Sequence, residues 1–141
     1  MHERPFRWIG PPQGHADALV YVVSPDVAVR RALALLLEAE GFLARPFASA
    51  DAFLTGAHTA PVGMRRCLLV EHRSPGGAGG LDLVRRSVAA GLDMPAVVLV
   101  AAGRPSPRGR TAGAGGLVAF ADPFRVEDVL RAVSEAVRPR G

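Results

Sequence analysis

"CLLVEHRSPGGAGGLDL", residues 67–83, is the stretch whose reading decides the fold. An apolar run from Cys67 to Val70 ends in one carboxylate, Glu71. A loop of Pro and Gly follows, and then the apolar spacing of a helix begins. A run with no polar face belongs to a strand covered on both sides, as in a parallel sheet. Such a strand delivers its last side chain to the carboxyl edge of the sheet, where open α/β domains place their chemistry.

The same unit recurs on both sides of this stretch. "ALVYVVSPD" predicts a buried strand over about 18–23 that stops at Ser-Pro-Asp. "PDVAVRRALALLLEAEGF" predicts a helix. Ser24 or Asp26 serves as its N-cap, Pro25 suits the first turn, and Gly41 suits the position past the end. Val29, Ala32, Leu33, Leu36 and Leu37 form its inward stripe, with Arg30, Arg31 and Glu38 on the other side. "FLARPFA" is a second strand, marked by Pro46 as an edge strand or its end. "SADAFLTGA" is a short helix capped by Ser49, with Phe53 and Leu54 inward.

After residue 78, "GGLDLVRRSVAAGLD" predicts a helix that buries Leu81, Leu83, Val84, Val88 and Ala89 and ends near Gly91. "PAVVLVAA" is a fourth strand and "LVAFADPF" a fifth, ending at Asp122-Pro123. "RVEDVLRAVSEAVR" closes the chain as a helix with Val126, Val129, Leu130, Val133 and Val137 inward. Between strands four and five, "GRPSPRGRTAGAGG" carries Pro105, Pro107 and five Gly where a helix is due. That fourth helix is weakened to one or two turns, over 107–112, or is absent.

Strand-helix repeated five times, with right-handed crossovers, predicts an α/β fold: a doubly wound, five-stranded parallel sheet of flavodoxin-like order 2-1-3-4-5. Its crevice lies at the carboxyl ends of strands one, three and five. Those ends carry Ser24, Pro25 and Asp26, then Glu71, then Asp122. Residues 1–17 read as a flexible N-terminal arm, 18–138 as the domain, and 139–141 as a tail.

Composition narrows the function. The chain has 141 residues, 49% apolar and 21% charged, which suits one globular domain. Its apolar runs fall short of the ~18 residues a membrane helix needs. The first residues lack the apolar core of a signal peptide, so a cytoplasmic address with no membrane partner is expected. Cys67 is the single cysteine; no internal disulfide can form, and the thiol reads as a small core residue. All 17 basic residues are Arg, so no mechanism that needs a Lys amine operates here.

The net charge of +4 is spread along the chain rather than gathered in a stripe, which makes nucleic acid an unlikely partner. His2, His15, His58 and His72 lack metal-ligand spacing, and His72 reads as a solvated loop side chain. "PGGAGG" lacks the Lys of a phosphate-binding loop. No metal, cofactor or enzymatic constellation is expected.

On these residues the chain resembles a bacterial response-regulator receiver domain, CheY-like in fold. It is most similar to receivers joined to LuxR-type DNA-binding domains. "VYVVSPDVAVRRALALLLEAEGF", "ARPFASADAFL", "CLLVEHRSPGG", "MPAVVLV" and "ADPF" carry the likeness, which spans about 18–138. Receivers accept a phosphoryl group on an Asp that ends strand three, beside a Mg²⁺ held by an acidic pair after strand one. By resemblance the acceptor position falls on Glu71 and the acidic pair on Ser24 and Pro25, with Asp26 one residue further on. The phosphoryl-gripping hydroxyl falls on Val100, the family's Lys on Asp122, and its aromatic switch on Ala119.

The resemblance therefore implies a degenerate receiver, a two-component regulator that works without phosphorylation. Glu71 has three readings: a mimic of a phosphorylated Asp, a member of an acidic pocket with Asp122 and Asp26 balanced by Arg73, Arg104 or a metal, or a strand-end carboxylate paired with an Arg. The expected output is protein–protein binding to a histidine kinase, a transcription factor or another regulator. The face built by the fourth and fifth strand-helix units carries it, with Arg104, Arg108, Arg110 and Phe124 as candidate contacts. A homodimer through the first or last helix is also open. With no LuxR-type domain after residue 141, a stand-alone receiver is expected. Two alternatives stay open: a phosphoacceptor of unusual chemistry, and a nucleic-acid-binding module that uses the Arg clusters.

Overall fold

The structure, a computed structural model, describes residues 17–57, 63–72, 79–100 and 118–138. Along the chain it has β1 (Ala18–Val23), α1 (Val27–Ala39), β2 (Leu43–Phe47), α2 (Ala50–Gly56), β3 (Arg65–Glu71), α3 (Gly80–Ala89), β4 (Ala96–Leu99), β5 (Val118–Ala121) and α4 (Val126–Ala136). All four strand pairings are parallel and the order is β2-β1-β3-β4-β5, as the crossover rule predicts. β2 is an edge strand, which is where a Pro such as Pro46 is tolerated. The weakened helix expected over 107–112, all of the 1–17 arm except Asp17, and the tail at 139–141 lie outside the described residues.

Period-two alternation splits the core into two layers. Leu19, Tyr21, Val23, Leu68, Val70 and Val98 face α2 and α3, where Phe53, Leu81, Leu83 and Val84 meet them. Val20, Val22, Cys67, Leu69, Val97 and Leu99 face α1 and α4, against Leu33, Leu37, Val129 and Val133. Each large side chain buried this way stabilises the fold by roughly 1.5–3 kcal/mol. Among the described residues no helix is long and apolar enough to cross a membrane.

The distinctive "ARPFASADAFL" stretch builds an aromatic corner. Phe53 meets Tyr21 edge-on at 5.3 Å and Phe47 at 5.8 Å between ring centroids. The Tyr21 hydroxyl donates to the Ala57 carbonyl at 3.2 Å, and the Arg45 guanidinium covers the Phe47 ring at 5.8 Å. Ser49 caps α2 through the Ala52 N–H. Gly41 and Gly91 follow α1 and α3 with φ of 96° and 84°, the left-handed stop that favours glycine.

Several side chains differ from their expected faces. Ala32, Ala89 and Val126 are exposed. A methyl group loses little on either face, and Val126 sits at the first turn of α4, before that helix settles onto the sheet. Ser87 is buried in α3 instead, because its hydroxyl donates to the Leu92 carbonyl at 2.6 Å. β3 begins at Arg65, two residues before its apolar run. The Arg65 guanidinium reaches the Asp17 carboxylate and the Val137 carbonyl, so it ties the starts of β1 and β3 to the end of α4.

Candidate functional site

The strand order reverses between β1 and β3, so the crevice opens at their carboxyl ends. The register places two polar residues together there. Val22 pairs with Leu69 across the two strands; two residues further along the same face stand Ser24 and Glu71. Ser24 is fully buried, and its hydroxyl donates to Glu71 Oε1 at 2.5 Å.

The rest of Ser24 is bonded as well. Its N–H donates to the Phe47 carbonyl at 3.1 Å, and its carbonyl accepts from Arg30 Nη1 at 2.8 Å. Its Oγ also accepts from the Asp26 N–H at 3.2 Å. A buried residue with every polar group bonded holds its backbone firmly. Arg30 was expected on the solvent side of α1 with Arg31. Arg31 is there, but Arg30 folds back over the helix start, because the Ser24 carbonyl offers an acceptor that solvent-facing sites do not.

The remaining acids of the site are engaged separately. Asp26, not Ser24, is the N-cap: its Oδ1 accepts from Ala28 N–H at 2.9 Å and Val29 N–H at 3.2 Å. Asp122 Oδ1 accepts from the Phe124 N–H at 2.9 Å and shapes the turn into α4. Val100 carries the β4–β5 ladder one step past the strand, its N–H donating to the Ala121 carbonyl at 2.8 Å. Ala119 packs into the layer under α1 and α4. Phe124 is 83% exposed beside that turn. Arg73, Arg104, Arg108 and Arg110 lie outside the described residues.

His72 departs from the solvated reading. Its N–H donates to the Leu99 carbonyl at 2.9 Å, and its Nδ1 accepts from the Gly80 N–H at 3.2 Å. The bond puts the ring proton on Nε2 and docks the imidazole on the start of α3. A Cβ on Gly79 would fall 2.4 Å from His72 Cε1, so only glycine lets the ring sit there. Beside Glu71 lies a cleft of about 250 Å³, lined by Val23, Val70 and Leu83 and by Glu71, Asp82 and Arg86. Arg86 bonds Asp51 at 2.9 Å and links α3 to α2.

This donor set does not fit a Mg²⁺ ion. A hard divalent cation takes about six oxygens, with carboxylates prominent among them. Pro25 offers no side-chain oxygen, Asp26 is committed to the helix start, Asp122 to the turn into α4, and the Ser24 hydroxyl points its proton at Glu71. Among the described residues no group of three or more His, Cys, Asp or Glu side chains could hold a metal ion. Arg30 and His72 are the site residues that sequence reading missed. The signal for Arg30 is weak, since a second basic residue beside Arg31 reads as surface. For His72 the Gly79-Gly80 pair was the available clue.

Comparisons with known proteins point one way. No family model matches the chain. The response regulator protein TmoT of Ectopseudomonas mendocina is 31% identical over 122 residues, covering 86% of this chain and 54% of its own length. This chain thus spans about half of that relative. The crystal structure of FixJ-N superposes with a TM-score of 0.65 at 25% identity, over 86% of this chain and 98% of the other. The response regulator StyR gives 0.68 at 29% identity, over 85% of this chain and 59% of that one.

Proposed function

We propose that this chain, which carries a response-regulator receiver domain of two-component signalling, signals by protein–protein contact without accepting a phosphoryl group. The Ser24–Glu71 hydrogen bond carries this reading. By family resemblance, metal and phosphoryl group would meet where that bond stands. Phosphoryl transfer relies on a metal and cationic groups to stabilise the equatorial oxygens. Losing one such contact costs on the order of 3 kcal/mol, or ~10²-fold in rate. Here Ser24 and Pro25 replace the acidic pair, Val100 offers no hydroxyl, and Asp122 brings a negative charge where a Lys would stand.

Of the three readings of Glu71, the bonding favours the strand-end carboxylate whose work is structural, with the Ser24 hydroxyl bonded to it where an Arg was the expected partner. The mimic would need a hydroxyl at Val100 and a ring at Ala119 to read its charge. The acidic pocket would need Asp26 and Asp122 to turn away from the turns they cap. The output is a partner regulator that binds near the β5–α4 turn, where Phe124 leaves 83% of its surface in water.

Incubation of the full chain with acetyl phosphate and Mg²⁺, followed by intact mass, tests the proposal. The expected result is no added phosphate mass. An adduct that forms on the native chain and disappears in Glu71→Ala would replace this reading with that of a working phosphoacceptor.

A further inference from the structure

α1 has a second stripe, on the side turned away from the sheet. Leu33 and Leu37 are buried, yet Leu35 is 67% exposed and Val27 54% exposed on the same helix. Ala28, Arg31, Ala32, Glu38 and Ala39 are exposed with them. Ala28, Ala32, Leu35 and Ala39 follow one another at intervals of 4, 3 and 4 residues. That is the spacing of a helix–helix seam, in which they alternate between the d and a positions. Three of the four are alanine, so a second helix can approach closely around the single large side chain.

The charges beside the seam select the occupant. In that register Arg31 and Glu38 both take the g position, seven residues apart. Two copies of one helix running antiparallel set g against g. Arg31 of one copy then meets Glu38 of the other, and the two-fold axis repeats the pair. The flanking e positions are Val29 and Leu36, both half-buried and apolar, and they add no like-charge conflict. A parallel pair would set the charged positions against these apolar ones. Neither Arg31 nor Glu38 has a side-chain partner among the described residues.

We propose that this chain forms an antiparallel homodimer through α1, centred on Leu35 and flanked by two symmetry-related Arg31–Glu38 pairs. The helix is about 20 Å long, so the seam lies at the small, reversible end of specific interfaces. The proposal does not depend on the phosphoryl reading, since α1 presents this stripe whatever Glu71 does.

Sedimentation equilibrium of the full chain, from about 1 µM to several hundred µM, tests it across the range of a weak dimer. A monomer–dimer equilibrium is expected for the native chain and a monomer for Leu35→Glu. Arg31→Glu and Glu38→Arg should each weaken association about tenfold, and the two together should restore it. All three positions are exposed, and circular dichroism checks that each variant is folded. The proposal is overturned by a native chain that stays monomeric throughout, by a dimer that survives Leu35→Glu, or by a double variant that associates no better than the single ones.

Discussion

Tyr21 lies within β1 and Ser24 just past its end, three residues on, yet they belong to two regions of opposite character. Tyr21 enters the aromatic corner with Phe47 and Phe53, where contact is almost wholly apolar and a single hydroxyl finds one carbonyl. Ser24 enters the crevice, where hydroxyl, carboxylate, guanidinium and backbone satisfy one another. The corner draws stability from area removed from water. The crevice draws little net stability, because its bonds replace bonds to water, but leaving one of its groups unpartnered is expensive. Stability and site chemistry are therefore divided between neighbouring positions, and perturbing each region should give a different signature.

Phe53→Ala should produce the largest loss. The ring is fully buried and anchors both other aromatic side chains. Chemical denaturation is expected to show destabilisation of about 3–5 kcal/mol. A loss under about 1 kcal/mol would mean that the corner collapses around the gap and is not the anchor.

Cys67 lies in β3 below Glu71, and burial pushes its thiol up to about 12 from an ordinary 9.0. The sign of the linkage follows from that direction. Between pH 9 and 12 the unfolded chain releases the thiol proton while the folded chain keeps it, so stability falls as pH rises. Its contribution is intact below pH 9 and is lost progressively through pH 12. Relative to Cys67→Ala, the native chain should lose on the order of 2–3 kcal/mol by pH 11. Urea titrations at stepped pH measure the difference, and parallel curves for the two proteins would contradict it. At neutral pH the same burial should hold alkylation of the thiol to the rate at which the fold opens.

The fold was legible where side chains are plainly apolar and turns carry their own chemistry. The runs at 18–23, 67–70 and 96–99 read as buried strands because nothing in them tolerates water. The crossover rule then left a doubly wound parallel sheet, for which the flavodoxin-like order was the fit, and that is the order found. Helix faces were less clear where alanine stood at the boundary, as at Ala32 and Ala89, since a methyl group decides little. The start of β3 was hidden because Arg65 and Arg66 look like loop residues until a carboxylate and a carbonyl are found for them. In the site, the positions of Ser24 and Glu71 at the crevice followed from pattern, but their bond did not. It depends on the β1–β3 register, and no local signal carries a register between strands that are 47 residues apart in sequence. The choice of Asp26 over Ser24 as cap has the same origin, because a hydroxyl drawn into the crevice cannot also cap the helix.

Ser24→Ala sharpens the contrast most directly, though its effect is the smallest. It removes no packing of consequence and leaves Asp26 in place to cap α1. What it removes is the donor to Glu71 and the acceptor of the Asp26 N–H, so the carboxylate, half-buried at the strand end, loses its bond to Ser24. The expected loss is about 1–2 kcal/mol, well below that at Phe53. A double-mutant cycle with Glu71→Ala separates this bond from all else the two residues do. Ser24→Ala should cost less in the Glu71→Ala background, by about 0.5 kcal/mol or more, because the acceptor has already gone. Additive losses would mean that the two residues act independently, and the polar crevice would then lose its claim to be one cooperative unit set against the aromatic corner.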